Sequence, residues 1–213
     1  MISNKINGAV AALRRGSFVV VVDDTNREDE GDLIIAAEHV TRETLAFMLR
    51  YTSGVVCVAI TEARAAELAL PLMVPDNSES QRTAFTVSVD FRYGTTTGIS
   101  AADRSAAIRG LADPTAGPSS FLRPGHVFPL RARPGGVLER RGHTEAAVDL
   151  MQIARLEPAG ALCELTATDG SMLDRVSVRE FAREHGFPLL SVGDLVAYRR
   201  AAELCPEVSA RAG

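Results

Sequence analysis

The sequence predicts an α/β (α+β) fold: a single domain over residues 1–205, with a mixed parallel and antiparallel sheet flanked by helices. Three observations lead there. Short β-branched runs, Phe18-Val19-Val20-Val21-Val22 and Leu33-Ile34-Ile35-Ala36-Ala37 among them, read as buried strands. Segments with apolar residues at helical spacing are interleaved with such runs. The first two strands are joined by a loop alone, which suits an antiparallel pair and breaks strict βαβ order.

Ile6, Val10 and Leu13 recur at helical spacing and Gly16 stops the pattern, giving a helix over 4–15. The strand 18–22, an acidic loop and the strand 33–37 follow. Thr41 caps a helix carrying Leu45, Met48 and Leu49, which Ser53-Gly54 ends. Val55–Ile60 is a strand, and Thr61 caps the next helix. Residues 71–82, with Pro71, Pro75 and Asp76-Asn77, form an irregular loop. Phe85–Asp90 alternates as a strand should, and Ser100 with Asp103 resembles a capping box opening a helix to about Leu111. Residues 113–125 are loop, and Val127-Phe128-Pro129-Leu130 is an edge strand, because Pro129 cannot donate to a ladder. A helix begins near Thr144 with Ala147, Leu150, Met151 and Ala154 inward, and Ala161–Thr166 is a strand. Ser177 with Glu180 makes a second capping box; a short strand near Leu189-Leu190 and a helix from about Val192 complete the chain, with residues 206–213 expected to fray.

Composition narrows the function. The chain has 213 residues, 46% hydrophobic and 23% charged, with a formal net charge of −4. That balance argues against a general nucleic-acid binder, which presents a basic face. Three cysteines, Cys57, Cys163 and Cys205, are an odd number, two of them in apolar runs; they suggest no disulfide framework and fit a reducing cytoplasm. The N-terminus lacks a secretory pattern, and no apolar run approaches the about 20 residues that span a bilayer. There is no P-loop, no GxGxxG opening a helix after a strand, no HExxH and no GxSxG.

Chemistry-bearing residues gather in five places. In Asp23-Asp24-Thr25-Asn26-Arg27-Glu28-Asp29-Glu30-Gly31-Asp32, six carboxylates crowd ten residues between two buried strands. A divalent cation, Arg27 or plain solvation can relieve their repulsion, and a solvated turn is the alternative to a site. Gly31 is expected to supply a backbone shape that other residues resist. In Arg140-Arg141-Gly142-His143-Thr144, a helix start, two arginines and a hydroxyl suit a phosphate, with His143 a metal ligand, a general base or a cap. His126 stands where a glycine turn enters a strand. Glu164 interrupts an apolar strand, either facing solvent on an edge or carrying acid–base chemistry at a pocket rim. Tyr93–Ser100 offers hydroxyls between glycines, which suit a polyol or phosphate and equally an ordinary capped loop. Cys57 is assigned to the core.

Taken in order, the acidic loop, Gly98-Ile99-Ser100-Ala101-Ala102-Asp103-Arg104, Arg123–Leu130, Gly142-His143-Thr144-Glu145-Ala146 and Leu162-Cys163-Glu164-Leu165 resemble the 3,4-dihydroxy-2-butanone 4-phosphate synthases of riboflavin biosynthesis, over about Ile6 to Arg200. The chain's length fits the monofunctional form. The resemblance implies a lyase converting D-ribulose 5-phosphate to 3,4-dihydroxy-2-butanone 4-phosphate and formate, with Mg2+ (or Mn2+) as cofactor, working as a cytoplasmic homodimer with sites at the interface. It implies Glu28 and His143 as metal ligands; Arg27, Glu28, Asp32, Arg140, Arg141, Gly142, His143, Thr144 and Glu164 as substrate contacts; and His126 and Glu164 as catalytic residues. Of the loop acids it singles out Glu28 and Asp32, leaving the others to field and solvation. Thr25-Asn26 and Arg141 depart from the family's usual pattern.

Overall fold

Side-chain alternation along buried strands divides the interior into two layers. The computed structural model describes residues 2–204. In it β1 (Val19–Val22) sends Val20 to one side of the sheet and Val19 and Val21 to the other; β2 (Gly31–Ala36) splits Leu33 and Ile35 from Ile34 in the same way. Each fully buried valine or isoleucine contributes about 1.5–3 kcal/mol, so both faces are firmly held.

The remaining strands are β3 (Cys57–Ile60), β4 (Val89–Phe91), β5 (Phe121–Arg131), β6 (Ala159–Glu164) and β7 (Leu189–Ser191), and the sheet runs β4-β5-β3-β6-β2-β1-β7. The β1–β2 pair is antiparallel, as the short connection requires, while β1–β7 and β3–β5 are parallel. Helices α1 (Ile2–Arg14), α5 (His143–Ala154) and α7 (Val192–Leu204) pack on the face carrying Val19, Ile34 and Cys57. Helices α2 (Arg42–Tyr51), α3 (Glu62–Glu67), α4 (Ala101–Ala112) and α6 (Arg175–His185) supply Leu45, Ala65, Ile108 and Phe181 to the other. Among the described residues no helix is long and apolar enough to cross a membrane.

Four local expectations are corrected. The strand 127–130 extends over Phe121–Arg131 and lies inside the sheet, not at its edge. Pro129 is tolerated because alternation turns its nitrogen away from β3: Phe128 and Ala132 donate to Val56 and Ile60 (3.2 and 2.9 Å), while the Pro129 carbonyl accepts from Thr86 (3.0 Å) on the other side. Much of the loop 113–125 is thereby strand. The strand over Phe85–Asp90 shrinks to Val89–Phe91, with isolated bridges at Phe85 and Thr86. Helix α6 is capped by Asp174, which accepts from the Ser177 N–H at 2.8 Å, so Ser177 is the third helical residue and not the cap. Thr41, Thr61 and Ser100 cap as expected. Cys205 and the tail 206–213 lie outside the described residues.

Candidate active site

β1 ends where the acidic loop begins, and its next residue, Asp23, is only 1% exposed. Backbone N–H groups of a tight connection need acceptors, and Asp23 provides them. Its Oδ2 accepts from Arg27 Nη1 (2.9 Å) and the Glu28 N–H (3.1 Å), and its Oδ1 from the Glu30 N–H (3.0 Å). Asp23 is therefore the anchor of the loop, and not merely one of the acids that supply field and solvation. Its place directly after a buried strand was the available signal. The unusual backbone is not at Gly31 but at Asp29 (φ 60), whose carboxylate pairs with Arg175. Gly31 is needed for space: a Cβ there would sit 2.9 Å from Val178 Cγ1 of α6.

Because β2 starts at Gly31, Asp32 is a strand residue, 3% exposed, and its register partner on β6 is Glu164. The two carboxylates therefore share one face of the sheet. β6 lies between β3 and β2, so Glu164 is not on an edge strand. Helix α5 opens above them with Gly142 as N-cap and buried His143 and Thr144 in its first turn. Together with Arg27, Glu28, Glu30 and Arg140 these residues line a cavity of about 170 Å3, floored by Cys57, Phe85, Leu130 and Leu162. Cys57 is thus both core and pocket floor. Glu79 and Thr83, from the 71–82 loop and its edge, complete the wall; nothing in the sequence pattern marked them.

The carboxylates perturb one another. Burial, then repulsion from Glu164, Glu30 and Glu28, holds the Asp32 pKa well above the ordinary carboxylate value. Burial, then repulsion from Glu28, Glu164 and Asp23, raises Glu30 to about 7. Glu28 is raised by burial and by Asp23, with Arg27 opposing. Burial lowers the His143 imidazole to about 4, so it is neutral at physiological pH and fit to donate a lone pair. Its Nδ1 is 3.6 Å from Asp32 Oδ1 and 3.9 Å from Glu28 Oε2. Asp32 Oδ1 and His143 Nε2 are buried without hydrogen-bond partners among the described residues. Ligand atoms of Asp23, Glu28 and His143 lie within 4.8 Å of one another. Two carboxylates and a neutral imidazole at that spacing fit a divalent cation, and a cation there would relieve the repulsion among the acids.

Arg140 is strongly tethered. Nη1 meets the buried Glu145 at 2.7 Å, Nη2 donates to the Gln81 carbonyl (3.1 Å) and Thr83 Oγ1 (2.9 Å), and Nε also reaches the Gln81 carbonyl (3.3 Å). Arg141 turns the other way and pairs with Asp24 at 3.1 Å, off the pocket wall. His126 is also outside this cavity. It is half-buried on β5, with Nδ1 2.8 Å from Asp90 Oδ2. Gly98 (φ 92) packs against that pair, where a Cβ would lie 2.1 Å from the Asp90 carboxylate. The Tyr93–Ser100 segment is tied internally, the Asp103 carboxylate accepting from the Thr96 hydroxyl (2.7 Å) and the Gly98 N–H (3.1 Å). It behaves as a capped loop.

Comparison with known proteins is consistent over almost the whole chain. The family model for 3,4-dihydroxy-2-butanone 4-phosphate synthase matches residues 7–198. A 3,4-dihydroxy-2-butanone 4-phosphate synthase of Pelobacter propionicus is 56% identical over 195 residues, covering 92% of this chain and 83% of that protein. A solved 3,4-dihydroxy-2-butanone 4-phosphate synthase in complex with two magnesium ions superposes with a TM-score of 0.88 at 46% identity, covering 92% of this chain and 96% of that one. A two-domain synthase from A. baumannii superposes at 0.87 with 43% identity, over 91% of this chain and 57% of that one.

Proposed function

The chain belongs to the 3,4-dihydroxy-2-butanone 4-phosphate synthase family, and from that membership we propose how its residues divide the work. The enzyme converts D-ribulose 5-phosphate to 3,4-dihydroxy-2-butanone 4-phosphate in riboflavin biosynthesis. In our reading the other product is formate, the cofactor is Mg2+ with Mn2+ as a substitute, and the active form is a cytoplasmic homodimer of one domain per chain.

The observation that carries the reading is the cluster of Asp23, Glu28 and His143, whose ligand atoms lie within 4.8 Å of one another, beside the buried Asp32. Glu28 and His143 would hold the metal, with Asp23 added to the set. When bound there, a divalent cation would supply Lewis-acid stabilisation of negative charge on the substrate. The rest falls to side chains. Arg140, Thr144 and the N–H groups that follow Gly142 hold the phosphate, and Arg141 adds positive charge outside the wall. Arg27 and Asp32 grip the sugar. Asp32, whose pKa burial and neighbouring carboxylates raise, would donate a proton, and Glu164 would take one. His126, oriented by Asp90, would reach the reaction from the second copy if the site lies at the dimer interface.

Incubation of ribulose 5-phosphate with the protein and Mg2+ should release formate and the butanone phosphate together, and EDTA should stop both. Folded, metal-loaded protein that yields no formate would overturn the proposed chemistry. Equilibrium sedimentation tests the dimer.

A further inference from the structure

Ser53 follows α2, where the chain turns through Ser53 and Gly54 (φ 80) toward β3. Two hydrogen bonds tie this turn to one residue of β6. The Ser53 N–H donates to the Glu164 carbonyl (2.9 Å), and Ser53 Oγ donates to Glu164 Oε2 (2.6 Å). Ser53 Oγ accepts in turn from the Val55 N–H (3.3 Å) and touches Cys163 Sγ (3.3 Å). The turn is also fastened from behind. Arg104 on α4 is buried and donates to the Gly54 carbonyl (3.3 Å). No hydrogen bond to Glu164 Oε1 is made among the described residues.

We propose that Ser53 is a positioning residue for the reaction: it holds Glu164 by Oε2 and leaves Oε1 to face the substrate. The proposal rests on the catalytic reading of Glu164 given above. The need is physical. Glu164 shares its pocket with Glu28, Glu30 and Asp32, and an unheld glutamate would swing from that repulsion toward solvent. A cation would also hold it, but would cancel the charge that makes it a base. A neutral hydroxyl fixes the side chain and leaves its basicity, and a side chain displaced by about 1 Å can lose a large part of the rate.

Ser53→Ala, Ser53→Thr and Glu164→Gln would be compared by steady-state kinetics on ribulose 5-phosphate at saturating Mg2+, with melting temperatures alongside. Ser53→Ala should lower kcat about tenfold while KM stays within about twofold, since a transition-state contact is weakened and substrate binding is not. Ser53→Thr, which keeps the hydroxyl, should recover kcat to within about threefold of the parent. If Ser53→Ala does not fold, Ser53→Cys, a weak donor of about the same shape, takes its place: its kcat should lie below that of Ser53→Thr with KM within about twofold of the parent, and a kcat equal to the parent's would overturn the role of Ser53. Unchanged kcat in Ser53→Ala with an inactive Glu164→Gln would overturn the role of Ser53 alone. An active Glu164→Gln would remove the reading of Glu164 beneath it. Losses in the alanine and threonine variants that are equal and follow melting temperature would make Ser53 a turn residue only.

Discussion

Replacing Asp23 with Asn changes one atom of a buried carboxylate, and the structure says what that atom does. The amide oxygen can keep the Oδ2 position and its bonds to Arg27 and the Glu28 N–H. The amide NH2 must then face the Glu30 N–H, donor against donor, where Oδ1 now accepts at 3.0 Å. A hydrogen bond involving a charged group contributes about 1.5–3 kcal/mol, and leaving the Glu30 N–H unsatisfied costs about 1–3 kcal/mol more. Against that, the lost charge relieves Glu28, Glu30 and Asp32, each of which Asp23 now repels. The net expectation is about 2–3 kcal/mol of destabilisation in metal-free protein, or about 4–12 °C in Tm for a chain of this size. Mg2+ affinity should drop at least about tenfold as one of the three ligand groups loses its charge. The assay is urea unfolding in EDTA at pH 7 together with a Mg2+ titration by calorimetry. Asp24→Asn is the control: Asp24 meets only Arg141, half-exposed, and should cost under about 0.5 kcal/mol. An Asp23→Asn protein as stable as that control, with unchanged Mg2+ affinity, would refute the anchoring role.

Three further outcomes are expected. Gly31→Ala brings a Cβ to 2.9 Å from Val178 and should cost about 1–3 kcal/mol in denaturant unfolding, with Gly31→Ala/Val178→Ala regaining much of it. Glu30 titrates near 7 in the folded chain against 4.5 unfolded, so the folded state binds more protons between these values and the stability owed to Glu30 falls as pH rises from 4.5 to 7. His143 runs the other way, depressed to about 4, so only the difference between parent and Glu30→Gln isolates the effect; after solvent screening it should amount to about 1 kcal/mol, and an opposite slope in EDTA would contradict it. Glu145→Gln removes the charge that Arg140 Nη1 meets, and KM for ribulose 5-phosphate should rise about tenfold with kcat little changed.

The sheet was legible because β1, β2 and β3 are short apolar runs rich in valine and isoleucine, and the antiparallel opening pair followed from a connection too short for a crossover. What failed was set by neighbours. Pro129 looked like an edge residue because a proline in isolation lacks a donor; only the direction of the adjacent ladder shows that no donor was needed there. The strand at Phe85–Asp90 alternated correctly but found partners only in part. At the site, charge and spacing drew attention to the acidic loop as a whole and to the helix start at His143; the family resemblance singled out Glu28 and Asp32 among the acids. Charge and spacing could not rank Asp23 above Asp24, since the distinction is burial, and they could not reach Glu79 or Thr83, which enter through the path of a loop.

Arg140 has a consequence for how the pocket fills. A guanidinium carries five N–H groups, and four of them already have protein partners in Glu145, Thr83 and the Gln81 carbonyl. An arriving phosphate is offered one free N–H unless Gln81 and Thr83 let go. On the role proposed for Arg140, capture of the phosphate is an exchange of tethers rather than a simple addition, and amide exchange across residues 79–83 should quicken when the pocket is occupied.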